Sequence, residues 1–143
     1  MYKNTTSDRL TRPYKSSGAL KAKTVTEKKT VEVTVTALDA LGCSETFRID
    51  LYPATTKVQL FRDTEEVTGK TLTLATGAQL QLTALCQPET AANIYTWSSS
   101  NAKAVEVDET GRVTVLGTSG SVTVTCTAAD GYGKKATVKI KIG

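Results

Sequence analysis

Five acidic residues stand close enough in the chain to invite a chemical role: Asp63, Glu65 and Glu66 in "RDTEEV", and Asp108 with Glu109 in "VDETG". Two facing carboxylates can run glycoside hydrolysis, and clustered acids can hold calcium through oxygen ligands. All five, however, lie among turn residues, where a solvated loop carboxylate is the ordinary outcome. "RDTEEV" also lacks the dense alternating acids and the glycine of a dedicated calcium loop. The chain contains no histidine, which removes the commonest general base and both the Ser-His and Cys-His nucleophile pairs. The residues therefore assign no catalytic group, no metal ligand and no cofactor.

Three cysteines stand at 43, 86 and 126. No CxxC or Cys-and-His spacing is present, so a structural zinc site has no support. Cys86 and Cys126 form the candidate disulfide, since alternation puts both on inner faces near the same end of a two-sheet fold. Closing that interval would stabilise by about 3 to 4 kcal/mol on loop entropy. The alternative is two buried thiols acting as small hydrophobes. Cys43 falls in a turn and is read as a free thiol. The single tryptophan, Trp97, stands in "YTWSSSN". It is either an exposed platform for a sugar ring or a core anchor, and alternation, which points it inward with Tyr95, favours the core. The serines and Asn101 then form the polar turn where the strand leaves the sheet.

Threonine and valine recur throughout the chain, which favours strands, because β-branched side chains suit a pleated surface. Period-2 alternation appears in "VEVTVTAL" (31–38), "TFRIDL" (46–51), "QLQLTAL" (79–85), "RVTVL" (112–116), "SVTVTCTA" (121–128) and "ATVKIKI" (136–142). Turn signals separate these runs, with Gly77, Gly111, Gly120 and Gly131 as turn glycines. In the last 90 residues the spacing predicts strands over 57–62, 70–74, 78–86, 94–98, 104–107, 112–116, 121–128 and 135–142. Leu80, Leu82, Val122, Val124 and Ile140 join Trp97 as the predicted core.

The chain also repeats itself. "TALDALG" (36–42) recurs as "TAADGYG" (127–133), and the separation of 91 residues holds on both sides, setting Val31, Val33 and Val35 on Val122, Val124 and Cys126. "SGALKAK" (17–23) answers "TGRVTVL" (110–116) after a shift of two residues. A repeat of that length is domain-sized. We place a boundary near "LYPATT" (51–56), at Pro53. Residues 1–53 are then the C-terminal part of a preceding copy, and residues 54–143 are a complete copy. Val31, Val33, Phe47 and Ile49 should lack part of their cover.

The run "GAQLQLTALCQPETAANIYTWSSSNAKAVEVDETGRVTVLGTSGSVTVTCTAADG", with its closing "KATVKIKI", resembles the bacterial immunoglobulin-like domain family, group 2. The resemblance covers about 56–143, and its second half appears again at 17–52. It implies an all-β, immunoglobulin-like two-sheet sandwich with Greek-key connections, a bacterial surface context and often adhesion.

These observations lead to a non-catalytic extracellular module of a bacterial cell-surface protein, acting as tandem spacer or adhesion domain. Its expected partners are flanking immunoglobulin-like repeats and a host or neighbouring surface protein or glycan. An accessory carbohydrate-binding or spacer domain of a secreted polysaccharide-degrading enzyme is one alternative, favoured if Tyr2, Tyr14, Tyr52 or Tyr132 lined a groove. A phage tail or capsid decoration domain is another. The net charge of +4 is a weak field with scattered lysines, which argues against nucleic acid as a partner. No apolar run approaches the ~20 residues of a membrane helix, so direct membrane insertion is not expected. Residues 1–20 hold no signal core, and the chain reads as a fragment cut from something longer.

Overall fold

Alternation of valine and threonine becomes twelve strands in a computed structural model that describes residues 23–38 and 40–143. Expectations that fall on residues 1–22, among them Tyr2, Tyr14 and most of "SGALKAK", lie outside the described residues. The described chain falls into two compact units. One contains Lys29–Leu51, and the other contains Tyr52–Gly143 with Val25–Lys28.

The described residues of the first unit form a hairpin of β1 (Lys29–Thr36) and β2 (Ser44–Leu51). Its antiparallel register sets Val31 on Ile49, Val33 on Phe47 and Val35 on Glu45. The other face carries a polar ladder, with Thr30 Oγ1 donating to Asp50 at 2.6 Å and Arg48 Nε donating to Glu32 at 2.9 Å.

The second unit is a two-layer sandwich. One layer runs in the order β5 (Thr71–Leu74), β12 (Lys135–Ile142), β11 (Gly120–Ala128) and β8 (Tyr95–Ser99). The facing layer is built from two ladders. The first is β4 (Glu65–Glu66), β3 (Lys57–Arg62) and β7 (Thr83–Gln87), and the second is β6 (Gln79–Gln81), β10 (Arg112–Val115) and β9 (Val105–Val107). β5 runs parallel to β12, and the other pairings are antiparallel. β11 meets β12 with Val122 on Ile140 and Val124 on Val138. Each of these positions lies 91 residues beyond its counterpart in β1–β2, so the two hairpins share one register.

One predicted strand is corrected. Residues 78–86 were expected to form a single strand, but the segment serves two ladders: β6 pairs with β10, and β7 pairs with β3. The change comes at Leu82, whose N–H donates to Gly111 O at 2.9 Å instead of to a strand partner. Twisted sheets change partners this way without losing the inward face. Leu82, Ala84 and Cys86 stay buried, and Leu80 is half-buried against the core. Leu60, Val105, Val113, Val115, Val122, Val124, Val138 and Ile140 complete the apolar interior between the layers.

Trp97 stands in β8 opposite Cys126. It is partly buried, packs on the core and meets Tyr95 edge to face, with ring centroids 6.1 Å apart. Its indole Nε1 is enclosed without a hydrogen-bond partner, and such a group costs about 1 to 3 kcal/mol. The ring is held because its apolar area outweighs that cost. The serines behave differently from the expectation of a turn. Ser98 and Ser99 remain in the strand, and Ser99 Oγ donates to Val105 O at 2.6 Å. Ser100 exchanges bonds with Thr123, its N–H donating to Thr123 O at 2.9 Å and its Oγ accepting from Thr123 N at 3.0 Å. Small hydroxyls therefore carry the edge where it meets β9 and β11.

Gly77, Gly111, Gly120 and Gly131 all have positive φ. Gly111 has a second requirement. A Cβ there would stand 2.6 Å from Leu82 O and 2.7 Å from Trp97 Cζ2, whereas a Cβ at Gly77 would meet open space. Gly77→Ala should therefore cost about 1 to 2 kcal/mol through backbone conformation alone. Gly111→Ala should cost about 2 to 4 kcal/mol, because overpacking adds to the strain. Urea unfolding followed by tryptophan fluorescence checks this, and equal losses at the two sites would contradict the close-approach account.

Candidate functional site

The acids that could do chemistry are spent on their own turns. Asp108 precedes a tight turn and accepts from Thr110 Oγ1 at 2.6 Å, Thr110 N at 2.8 Å and Arg112 N at 3.0 Å. Those bonds, led by the Thr110 hydroxyl, hold its carboxyl below the usual range. Glu65 pairs with Lys70 at 2.9 Å, and that contact lowers its pKa. Glu66 accepts from Gln59 at 3.1 Å and is likewise lowered. Asp63 sits in the β3–β4 turn with φ 53°, and Glu109 is exposed in the β9–β10 turn. The structure thus divides the five between two hairpins. Among the described residues no three Asp, Glu or Cys gather as a metal site.

Asp130, which was not singled out from the sequence, ties the unit's entry to the β11–β12 turn. Its carboxylate accepts from Thr55 N at 2.7 Å and Tyr132 N at 3.1 Å. Desolvation pushes the group up, but the bonds from Thr55 and Tyr132 win, so it is lowered on balance. The legible signal was "ADG", an aspartate before a turn glycine, which commonly bonds backbone a residue or two on.

Cys86 and Cys126, the candidate disulfide, stand as thiols without a bridge, both wholly buried. They lie on facing layers, in β7 and β11. They act as small core hydrophobes. Burial pushes Cys126 up to about 12, helped by Cys86, and raises Cys86 in the same way. Neither is a thiolate nucleophile at neutral pH. Cys43 is exposed and free.

The described surface includes a shallow concavity and an open groove. The polar concavity is lined by Gln79, Leu80, Gln81 and Arg112, with Arg112 donating to Gln79. An open apolar groove lies on the first unit, lined by Val35 to Leu38, Cys43 to Glu45 and Phe47. Sequence reasoning left Phe47 short of cover but did not find the groove. The available signal was Leu38, where the second copy has Ala129. Of the tyrosines proposed to line a sugar groove, Tyr52 lies under Lys28, whose Nζ is 5.0 Å from the ring centroid, and Tyr132 is exposed. Neither lines these concavities.

The family model described as bacterial Ig-like domain (group 2) matches residues 63–140, more than half of the chain. The chain belongs to this family. The chain is 39% identical over 88 residues to lacto-N-biosidase from Bifidobacterium bifidum, a match covering 54% of this chain and 8% of that protein. An intimin mutant of EHEC O157:H7 is 25% identical with a TM-score of 0.40, covering 59% of this chain and 42% of that one. An intimin–Tir90 complex gives 22% and 0.43, covering 59% of this chain and 45% of that one. Cadherin domains 3–6 of protocadherin gamma B2 give 13% and 0.44, covering 82% and 33%. The group 2 chain thus spans under a tenth of its curated relative and under half of these structures. No helix of the described residues is long and apolar enough to cross a membrane.

Two pH effects follow. Asp108 has a folded pKa below its unfolded one, so its contribution is present at neutral pH and is lost as pH falls through the folded value. The gap in unfolding free energy between the parent chain and Asp108→Asn should therefore narrow between pH 6 and about 3. A gap that stays constant would remove the carboxylate from the account. The buried thiols have the opposite sign: their folded pKa is raised, so stability falls as pH rises beyond about 8.5, the unfolded thiol value. Cys126→Val should flatten that alkaline decline in denaturant titrations. In native protein, iodoacetamide should add once, at Cys43, by mass spectrometry.

Proposed function

We propose that this chain is part of a non-catalytic extracellular series of immunoglobulin-like repeats in a bacterial surface protein, where it spaces or presents neighbouring domains. The observation that carries the reading is the shared register of β1–β2 and β11–β12 at a separation of 91 residues. That is what residues 1–53 would give as the end of one copy and residues 54–143 as a whole one. A series of small sandwiches extends a chain away from its base, with each module contacting its neighbours. In the second unit Glu65, Glu66 and Asp108 bond to residues near them in the chain, and Asp130 accepts from Thr55 N at the unit's entry. This supports a scaffold whose partners are the flanking repeats, with a surface protein or glycan as ligand of the adhesive version.

A second reading has a specific observation behind it. The 39% identical relative is named as a glycosidase, and the matched stretch is 8% of it. This favours an accessory module carried beside a catalytic domain in a secreted, glycan-degrading enzyme. The full chain on arrays of glycans and host extracellular-matrix proteins separates the two. The spacer reading expects no saturable binding. Saturable glycan binding would replace it with the accessory-module reading, and a protein hit would make the module adhesive.

A further inference from the structure

Two nucleophilic atoms, the sulfurs of Cys86 and Cys126, are enclosed in the core of the second unit, in β7 and β11 on the inner faces of its two layers. Cys86 stands one residue before the end of β7, and Cys126 two before the end of β11. Those strand ends are stitched together from both sides. On one side Cys86 N donates to Asn93 Oδ1 at 2.9 Å, and O of the next residue, Ile94, accepts from Ala129 N at 2.8 Å. On the other, Thr56 N donates to Gln87 O at 2.7 Å, while Thr55 N donates to the Asp130 carboxylate at 2.7 Å. The two cysteines therefore lie at one end of the sandwich. The inner side chains around them are small: Ala84 precedes Cys86 on the inward face, Ala128 follows Cys126, and Ala136 stands opposite Cys126. Side-chain size sets the spacing of packed layers, and alanines draw them closer than the usual ~10 Å. β3, which sets Val58 on Cys86, brings Cα atoms within 8 Å of those of β11 in the facing layer. The thiols also bear on one another. Burial pushes Cys126 up to about 12 with Cys86 adding to the rise, and the Tyr95 hydroxyl is raised by burial and then by both thiols. Such effects pass between groups that are close in space.

We propose that Cys86 and Cys126 close a disulfide between the two layers when the chain folds in the presence of a disulfide oxidant. The step is thiol–disulfide exchange. One cysteine, as thiolate, attacks a sulfur of the oxidant and releases the first of its two thiols; the other cysteine, as thiolate, attacks the mixed disulfide and releases the second. The Sγ–Sγ bond replaces the oxidant's S–S bond, the two cysteine protons pass to the released thiols, and the oxidant takes up two electrons. Burial keeps both thiols protonated in the closed core, so exchange precedes closure of the layers, and the finished bond is out of reach of reductants. In a module that spaces its neighbours, the bond would keep the stretch carrying β8, β9 and β10 from being drawn out when the ends of the unit are pulled. That consequence rests on the spacer reading, whereas the bond itself does not.

The test is refolding of the full chain from urea, once with glutathione and glutathione disulfide and once with dithiothreitol, followed by alkylation in denaturant and peptide mapping by mass spectrometry. The glutathione sample should yield the tryptic peptides 71–103 and 113–134 joined, with Cys43 outside that bond. The exposed thiol of Cys43 is removed for the stability comparison by Cys43→Ser. In that chain the bridged form should have an unfolding constant about a hundredfold or more below that of the dithiothreitol form. Dithiothreitol should also open the bond far more slowly in buffer than in urea. Alkylation of both Cys86 and Cys126 in the glutathione sample would overturn the proposal, as would glutathione held on either of them or a bond from Cys43 to one of them. A bridged form less stable than the reduced one would overturn it too, since the bond would then distort the core it is meant to span. Glycan and matrix arrays, which decide the spacer reading, leave these readouts untouched, so the two can fail separately.

Discussion

The indole of Trp97 lies against the spot where a side chain on residue 111 would have to begin, and the sandwich is arranged around that close approach. Gly111 meets it because it has no Cβ, and its positive φ turns the chain back into β10. Its carbonyl accepts from Leu82 N, where the segment 79–87 passes from one ladder to the other. Asp108 delivers the glycine to that place by bonding Thr110 and Arg112. Four parts of the chain, from β6–β7 to β10, thus meet at one contact between a ring and a backbone.

The two hairpins separate what pairing does from what burial does. Val31 and Val122 have equivalent partners, Ile49 and Ile140, yet Val122 and Ile140 are buried, while Val31 is 38% exposed. Strand pairing is local and needs a compatible turn and alternation. Burial needs a second layer, which only the second unit has among the described residues. A two-stranded ribbon alone is marginal in water, so the polar ladder of Thr30, Glu32, Arg48 and Asp50 on its other face is part of what holds it.

The thiols of Cys86 and Cys126 are enclosed, and Glu65, Glu66 and Asp108 bond to residues of their own hairpins and turns. Among the described residues, apolar side chains lie exposed beside a strand on the first unit.

The sequence by itself determined the strands, most of the inward positions, the repeat and the family, because period-2 alternation and turn chemistry are local and the family's residues stand in fixed order. Leu82, Val122, Val124 and Ile140 were legible as core for that reason. Tertiary structure decided the rest. The partner change at Leu82 and the strand role of Ser98 and Ser99 each depend on which distant backbone lies alongside, and alternation along one strand does not encode that. The same holds for Gly111: the sequence marks a turn glycine, but the requirement for its missing side chain comes from a tryptophan on another strand.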